Sequence, residues 1–396
     1  LIDFINKKLF PYLGNLKNET DNINSIEYKI GIIFSKLKNK IEDGYILRDI
    51  IDEVDTLQFR SDKQKHELST LYETKIQNMG NAGRTGGQYY TPRPLIKKIV
   101  ELIKPKIGEK IYDGACGSCG FLVEAYNFIL NSKTLTTAEL DVLQKNTLFG
   151  KEKINLAFII GLMNMILHGV EAPNLIRTNT LSENIMDFQQ KDKIDVVLAN
   201  PPFGGGEKQQ VQQNFPIKSS ETAYLFMQHF IKKLNSDGRA AIIIKNTFLT
   251  NKDARLIRKE LFETCNVHTI LNLPQKVFTA GVKTVVLFLN KGSKTKKIFY
   301  YDLVLERNLG ITNPLIEKDL DDFENKYYQP KDTKNSWFVN INDLDPKLLT
   351  LPTSNPNLKF NSDKVSPNEI LTKISDLDIN TENNLSEIKK ILKDEI

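Results

Sequence analysis

Residues 194–199 read Ile-Asp-Val-Val-Leu-Ala, and the chain then runs straight into Asn200-Pro201-Pro202-Phe203. A short apolar run closed by two prolines predicts a buried strand stopped at its carboxyl end, because proline cannot donate to a strand ladder. In an open α/β sheet, ligands bind at the carboxyl ends of strands. The two prolines stiffen the turn and leave carbonyls that only accept hydrogen bonds. The Asn200 side-chain oxygen adds an acceptor, and Phe203 adds a flat apolar face. Together they suit a planar ring that carries an exocyclic amino group. The plain alternative is an ordinary strand-terminating turn, since Pro-Pro alone is common.

Such a pocket answers a chemical need. The exocyclic nitrogen of adenine is a poor nucleophile because its lone pair is delocalised into the ring. Acceptors aimed at both N–H bonds favour the localised, attacking form and hold the nitrogen in line with a methyl donor. A base inside a duplex has to be flipped out to reach them.

Around this strand, helix–loop alternation gives way to strand–helix alternation from residue 93 onward. The periodicity predicts helices at 94–103, 120–130, 154–168, 222–234 and 252–263. Strands are predicted at 110–112, 147–150, 175–177, 194–198, 239–244, 267–273 and 284–289. The expected fold is α/β, a doubly wound, Rossmann-like sheet with an added strand near its end. Residues 1–80 read as a helical N-terminal domain, with a helix at 69–79 ending at Gly80 and a glycine-rich connection at 81–87. Residues 81–303 read as the catalytic domain and 304–396 as a C-terminal extension, polar and irregular over 304–365. Leu385, Ile388, Ile391 and Leu392 mark a terminal amphipathic helix.

The 396 residues suffice for one large α/β domain and a smaller one. No apolar run approaches ~18 residues, so no membrane-spanning helix is expected. Asp3, Lys7 and Lys8 argue against a signal peptide, and the start at Leu1 without Met points to missing N-terminal sequence. Three cysteines without a disulfide pattern suggest a reducing, cytoplasmic setting. The net charge of +5 permits nucleic-acid contact without arguing for it.

Three further segments carry candidate chemistry. Asp113-Gly114-Ala115-Cys116-Gly117-Ser118-Cys119-Gly120-Phe121 follows the first predicted strand, and its glycines allow a tight turn close to a ligand. Dinucleotide, phosphate and S-adenosylmethionine sites all use such a loop, although the Gly-Lys-Ser/Thr ending of a Walker loop is missing. Glu152 ends the next strand, where a carboxylate can accept from both ribose hydroxyls or simply face solvent. Gln88-Tyr89-Tyr90-Thr91-Pro92-Arg93 precedes the first α/β helix, either as a turn with packed aromatics or as a lid over the methyl donor. Cys116 and Cys119 form a Cys-x-x-Cys that reads as small residues under a ligand rather than a redox pair. Cys265 is remote, and His66, His168, His229 and His268 lack ligand spacing, so no metal is assigned.

Taken together, Gln88–Arg93, the Asp113–Phe121 loop, Glu152 and Asn200–Phe203 resemble, in order and spacing, the adenine-N6 DNA methyltransferases. The chain looks most like the modification subunit of type I restriction–modification systems over residues 50–310. The resemblance implies that Gln88, Tyr89, Tyr90, Thr91, Pro92, Arg93, Asp113, Ala115, Gly117, Ser118, Cys119, Gly120 and Glu152 bind S-adenosylmethionine. Asn200, Pro201, Pro202 and Phe203 would hold the target adenine, with Tyr224 and Phe226 packing around cofactor and base. It also implies double-stranded DNA with a flipped adenine, a separate specificity subunit, and a place for a restriction (nuclease/translocase) subunit. Three positions depart from the family pattern. Asp113-Gly114 replaces the usual Asp-Pro, and Lys245-Asn246 replaces the frequent Leu-Pro. Asn179 stands where a carboxylate is common and is carried over as a cofactor-binding residue, bonding an adenine ring as a mixed donor and acceptor. Protein-glutamine methyltransferases, RNA guanine-N2 methyltransferases and a degenerate, non-catalytic scaffold subunit are the rival readings.

Overall fold

A computed structural model turns the strand–helix alternation into a nine-stranded sheet ordered β3-β2-β1-β4-β5-β7-β6-β8-β9. It describes residues 1–23, 25–56, 68, 71, 72, 74, 90–171, 173–278, 281–310, 312–357, 371, 372, 374, 375, 377–379, 381, 382, 384 and 385. The strands are β1 (Ile111–Asp113), β2 (Leu148–Glu152), β3 (Asn174–Arg177), β4 (Ile194–Ala199), β5 (Leu234–Lys245), β6 (Cys265–Asn272), β7 (Thr284–Lys291), β8 (Lys297–Asp302) and β9 (Ser336–Asn340). The first five run parallel to one another. The added strand of the sequence reading is β7, which inserts antiparallel between β5 and β6.

The apolar run at 194–199 is buried on both faces, as its composition demands. Val196 and Leu198 pack into one apolar cluster and Val197 and Ala199 into the other, because successive side chains leave a strand on opposite sides. All four have no exposed surface. Helices cover both faces, among them Arg93–Ile103, Gly120–Ser132, Asn155–Leu167, Thr222–Lys233 and Arg255–Thr264. The Arg93–Ile103 helix shows why such segments fold. Leu95, Ile96, Ile99, Val100, Leu102 and Ile103 recur at helical spacing and are all buried. Each large apolar side chain so placed contributes about 1.5–3 kcal/mol.

The order 3-2-1-4 has one decisive consequence. Ile111 pairs with Leu148 on one side and Val196 on the other, so the chain leaves β1 toward β2 and returns to lay β4 on its opposite edge. The carboxyl ends of β1 and β4 therefore lie side by side at a switch point, where loops diverge and a crevice opens.

Two expectations need correction. The stretch 304–365 is not irregular throughout: it holds a helix at Asp321–Tyr328 and the strand β9. The sheet also continues past the Thr284–Lys291 strand, with β8 parallel to β6 and β9 antiparallel to β8. Few apolar residues sit in this polar stretch, but they are anchors. Phe323 and Trp337 have no exposed surface, and Trp337 stacks on Tyr300 with centroids 5.0 Å apart. The strand is set by pairing at the sheet edge and the helix by packing Phe323 on Phe288 and Tyr301 of the sheet, neither of which local periodicity registers.

The N-terminal residues form short helices, including Ile26–Phe34 and Gly44–Thr56. Residues 68, 71, 72 and 74 are helical, whereas the connection at 81–87 lies outside the described residues. Contacts divide the chain into Leu1–Ser354 and Asn355–Ile396. In the second unit the described residues between 371 and 385 are helical; Leu385 is exposed, and Ile388, Ile391 and Leu392 lie outside the description.

Candidate active site

Four sequence segments converge at the switch point. A narrow cleft of about 20 Å³ is lined by Thr91, Asp113, Ala115, Gly117, Ser118, Gly120 and Asn200, together with Ile96, Cys116 and Phe121. Gln88 and Tyr89 lie outside the described residues. Tyr90 is half-buried, and Pro92 occupies the N-cap of the Arg93–Ile103 helix.

The loop after β1 is built by hydrogen bonds to carboxylates. Asp113, 2% exposed, accepts from the Ala115 amide at 3.0 Å. Glu152, at the end of β2, accepts from the Gly117 amide at 3.0 Å and the Ile154 amide at 2.7 Å. Burial pushes the Asp113 carboxyl up to about 8, against the Ala115 hydrogen bond and helped by the nearby Glu152 charge. Burial also raises Glu152, opposed by its backbone donors. Two acceptors are thus held out of water beside the cleft, where hydrogen-bond donors of a ligand are worth most.

Two glycines of the loop are required by packing. A Cβ on Gly120 would lie 2.4 Å from the Arg93 guanidinium, so Arg93 crosses directly over the loop. A Cβ on Gly114 would lie 2.9 Å from Phe230 and 3.0 Å from the Tyr112 hydroxyl. The departure at Gly114 thus has a local cause: the Tyr112 hydroxyl, hydrogen-bonded to His229 at 3.1 Å, fills the space a larger residue would take. Cys119, by contrast, holds a left-handed φ of 61° at the N-cap of the Gly120–Ser132 helix without being glycine. Both thiols of the Cys-x-x-Cys are buried, and the hydrogen bond that the Cys116 thiol makes to Cys119, together with burial, pushes that thiol well up, away from nucleophilic chemistry.

On the β4 side, Asn200 donates through Nδ2 to the Thr91 hydroxyl at 2.9 Å, tying the tetrapeptide to the segment before the first α/β helix. Its Oδ1 is buried and has no hydrogen-bond partner among the described residues. Buried acceptors are rarely left so, because desolvation then goes uncompensated. Phe203 packs edge-on against Phe278, centroids 5.0 Å apart. Phe278, 3% exposed and carried by the loop after β6, escaped the sequence reading. Its only signal was an apolar pair, Val277-Phe278, close after Leu273-Pro274.

Not every candidate comes to the cleft. Asn179 uses its Oδ1 to cap the Thr180–Ser182 turn through the Leu181 amide, and it does not line the cleft. Tyr224 and Phe226 are buried in the apolar cluster under the sheet, against Phe248 and Phe230. A larger cavity, about 570 Å³, lies among the N-terminal helices between Phe10 and Phe34, and it holds none of the four segments. Among the described residues, no cluster of His, Cys, Asp or Glu is placed to hold a metal ion, and no helix is long and apolar enough to cross a membrane.

The sequence profile of the N-6 DNA methylases matches residues 63–357. The chain belongs to the N-6 DNA methylase family. Within that family it falls among the methylase subunits of type I restriction enzymes. It is 33% identical to the type I restriction enzyme EcoEI methylase subunit of Escherichia coli over 389 residues, 94% of this chain and 78% of that one. A modification subunit of a putative type I restriction enzyme from Vibrio vulnificus YJ016 superposes with a TM-score of 0.78 at 32% identity, covering 87% of this chain and 76% of that one. A chain from a structure on assembly of the type I restriction–modification system gives 0.82 at 33% identity, covering 100% and 84%. The N-6 DNA methylase sheet is that of the S-adenosylmethionine-dependent methyltransferases.

Proposed function

We propose that this N-6 DNA methylase transfers a methyl group from S-adenosylmethionine to the N6 amine of adenine in double-stranded DNA, at sites chosen by a separate specificity subunit. The observation that carries the proposal is Asn200 Oδ1, a buried acceptor at the carboxyl end of β4 without a partner among the described residues. It offers what an amino group needs, an acceptor desolvated in advance. Pro201 and Pro202 add carbonyls and no competing donors. With one amine hydrogen on Asn200 Oδ1 and another on a backbone carbonyl, the nitrogen lone pair is drawn out of the ring and toward attack. Phe203 and Phe278 supply apolar faces for the flipped base.

S-adenosylmethionine, when bound, supplies the electrophilic methyl group. The residues present fit it. Asp113 and Glu152 are buried carboxylates at the ends of adjacent strands, and the Ala115–Gly120 loop brings backbone close to them. Glu152 already holds the Gly117 amide, so it shapes the loop and remains the acceptor for ribose hydroxyls. The described part of the Gln88–Arg93 segment, Tyr90–Arg93, is joined to Asn200 through Thr91, which lines the cleft.

The family match supports DNA over protein glutamine or RNA guanine as the substrate. Sequence choice by another subunit is supported by the relatives' designation as methylase subunits and by the use of Phe323 and Trp337 as core anchors rather than as part of a groove reader. The test is sequencing of methylated bases in cells with and without the protein, repeated with Asn200→Ala. The variant is expected to lower the rate about 100- to 1,000-fold, the usual loss for one preorganised group, with cofactor affinity nearly intact. Normal adenine methylation by Asn200→Ala would defeat the proposal.

A further inference from the structure

We infer that Lys245 grips the DNA backbone beside the flipped adenine, exchanging its ion pair with Glu221 for a phosphate oxygen. The inference rests on the adenine-methylating reading above and adds to it a binding residue at a position where the chain departs from the family pattern.

The sheet register places Lys245. Ala199, the last residue of β4, pairs with Ile242, and β5 runs on to Lys245 while the β4 chain turns off into Asn200-Pro201-Pro202-Phe203. The end of β5 therefore projects past the catalytic turn. The Lys245 ammonium lies 3.6 Å from where a Cβ on Gly204 would be, just after Phe203. It is 3.2 Å from Glu221 Oε1, with 25% and 35% of the two side chains exposed. Glu221 is the N-cap of the Thr222–Lys233 helix and bridges back to Gly206, so the pair closes the neck of the 204–221 loop.

The same neck presents bare backbone. Gly204, Gly205 and Gly206 are all exposed. Gly205 needs to be glycine, because its φ is +107°. Its neighbours do not: a Cβ on Gly204 or Gly206 would meet nothing closer than 3.6 Å and 3.8 Å respectively. Packing within the protein leaves those side chains absent without reason, whereas close approach of a second backbone supplies one. A flipped nucleotide delivers such a backbone, since a base held by Asn200 and Phe203 draws its own sugar and phosphates to the mouth of the site.

The chemistry of the pair suits an exchange. A partly exposed lysine–glutamate pair is weakly held and screened by salt. A phosphodiester offers the same ammonium a full negative charge together with release of condensed counterions. Glu221 is then freed toward solvent, and Lys245 fixes the nucleotide without reading its sequence.

The test uses the complex with its specificity subunit and a duplex carrying the site mapped by methylated-base sequencing. Lys245→Gln is expected to raise the KM for DNA about 10-fold, the loss of one charge-assisted bond. It should also make the dependence of log affinity on log salt shallower by about one unit. Lys245→Arg keeps the wild-type slope, which shows that the charge and not the fold is read. Glu221→Gln keeps the slope and does not raise KM, because it removes only the competitor. An unchanged slope in Lys245→Gln overturns the inference. So does a Glu221→Gln variant that loses DNA affinity as far as Lys245→Gln, since the pair would then be a structural latch. Failure of the underlying reading shows separately, as wild-type protein that methylates no adenine.

Discussion

Asp113 carries a measurable consequence of its burial. Its carboxyl group ends β1 with 2% exposure and titrates near 8 instead of the ordinary 3.8. The folded state thus holds the proton more tightly than the unfolded chain does. The stability this contributes is full below about pH 4 and is lost as pH rises through about 8. Asp113→Asn removes that dependence. Without ligand, the variant is expected to melt above the wild type at pH 9, with the difference shrinking toward pH 4. Each tenfold change in proton affinity between folded and unfolded states is worth about 1.4 kcal/mol, so the gain at pH 9 is roughly a few kcal/mol. Melting curves that differ equally at both pH values would show that Asp113 is not buried as a charge. At this scale, residue types were legible from sequence: acceptors beside prolines, and carboxylates at strand ends. Pairings were not. Nothing in the chain announces that Thr91 would meet Asn200 at 2.9 Å, or that Phe203 would face Phe278. Asn179 shows the converse, because its local capping bond to Leu181 competes with any ligand for the same oxygen.

Single elements are held by contacts from far along the chain. Arg258, on the Arg255–Thr264 helix, has no exposed surface and donates to four backbone carbonyls, those of Phe248, Asn251, Leu348 and Leu349. It staples the turn after β5 to a strap in which Leu349 holds a strained, left-handed φ of 49°. Leu351 then donates to the Leu249 carbonyl at 2.9 Å and closes the same contact. Arg258→Met preserves bulk and removes the donors, so four carbonyls lose their partner, that of Phe248 fully buried and the other three partly so. The expected cost is about 3 kcal/mol in urea unfolding, seen as a lower midpoint at unchanged slope. A loss below ~1 kcal/mol would mean that water reaches those carbonyls. Elements with their own periodicity, such as Gly120–Ser132 or Ile194–Ala199, were legible to within a residue or two at each end. Those that exist because something else holds them, β9 above all, were not.

The molecule as a whole divides between the sheet-bearing unit and a C-terminal segment whose described residues between 371 and 385 are helical, with Leu371, Ile374, Leu377 and Leu385 exposed. We propose that the terminal apolar stripe of Leu385, Ile388, Ile391 and Leu392 docks on the specificity subunit by entering a groove. Deleting residues 381–396 is expected to leave S-adenosylmethionine binding in place while co-purification with the partner and site-specific methylation are lost. A truncated chain that still assembles and methylates places the interface elsewhere, on the N-terminal helices or the flank of the sheet. The sequence by itself determined the alternation of strands and helices, because period and punctuation are local properties of the chain. It also determined the chemistry of each segment, because donors, acceptors and backbone freedom belong to residue types. Only the tertiary structure decided that these segments share one cleft. Strand order 3-2-1-4 sets the end of β1 beside the end of β4, 80 and more residues apart, and pairing between distant strands leaves no trace in local periodicity. The same holds for Lys245. Its charge is plain in the sequence, and its place beside Gly204 follows only from how far β5 outruns β4.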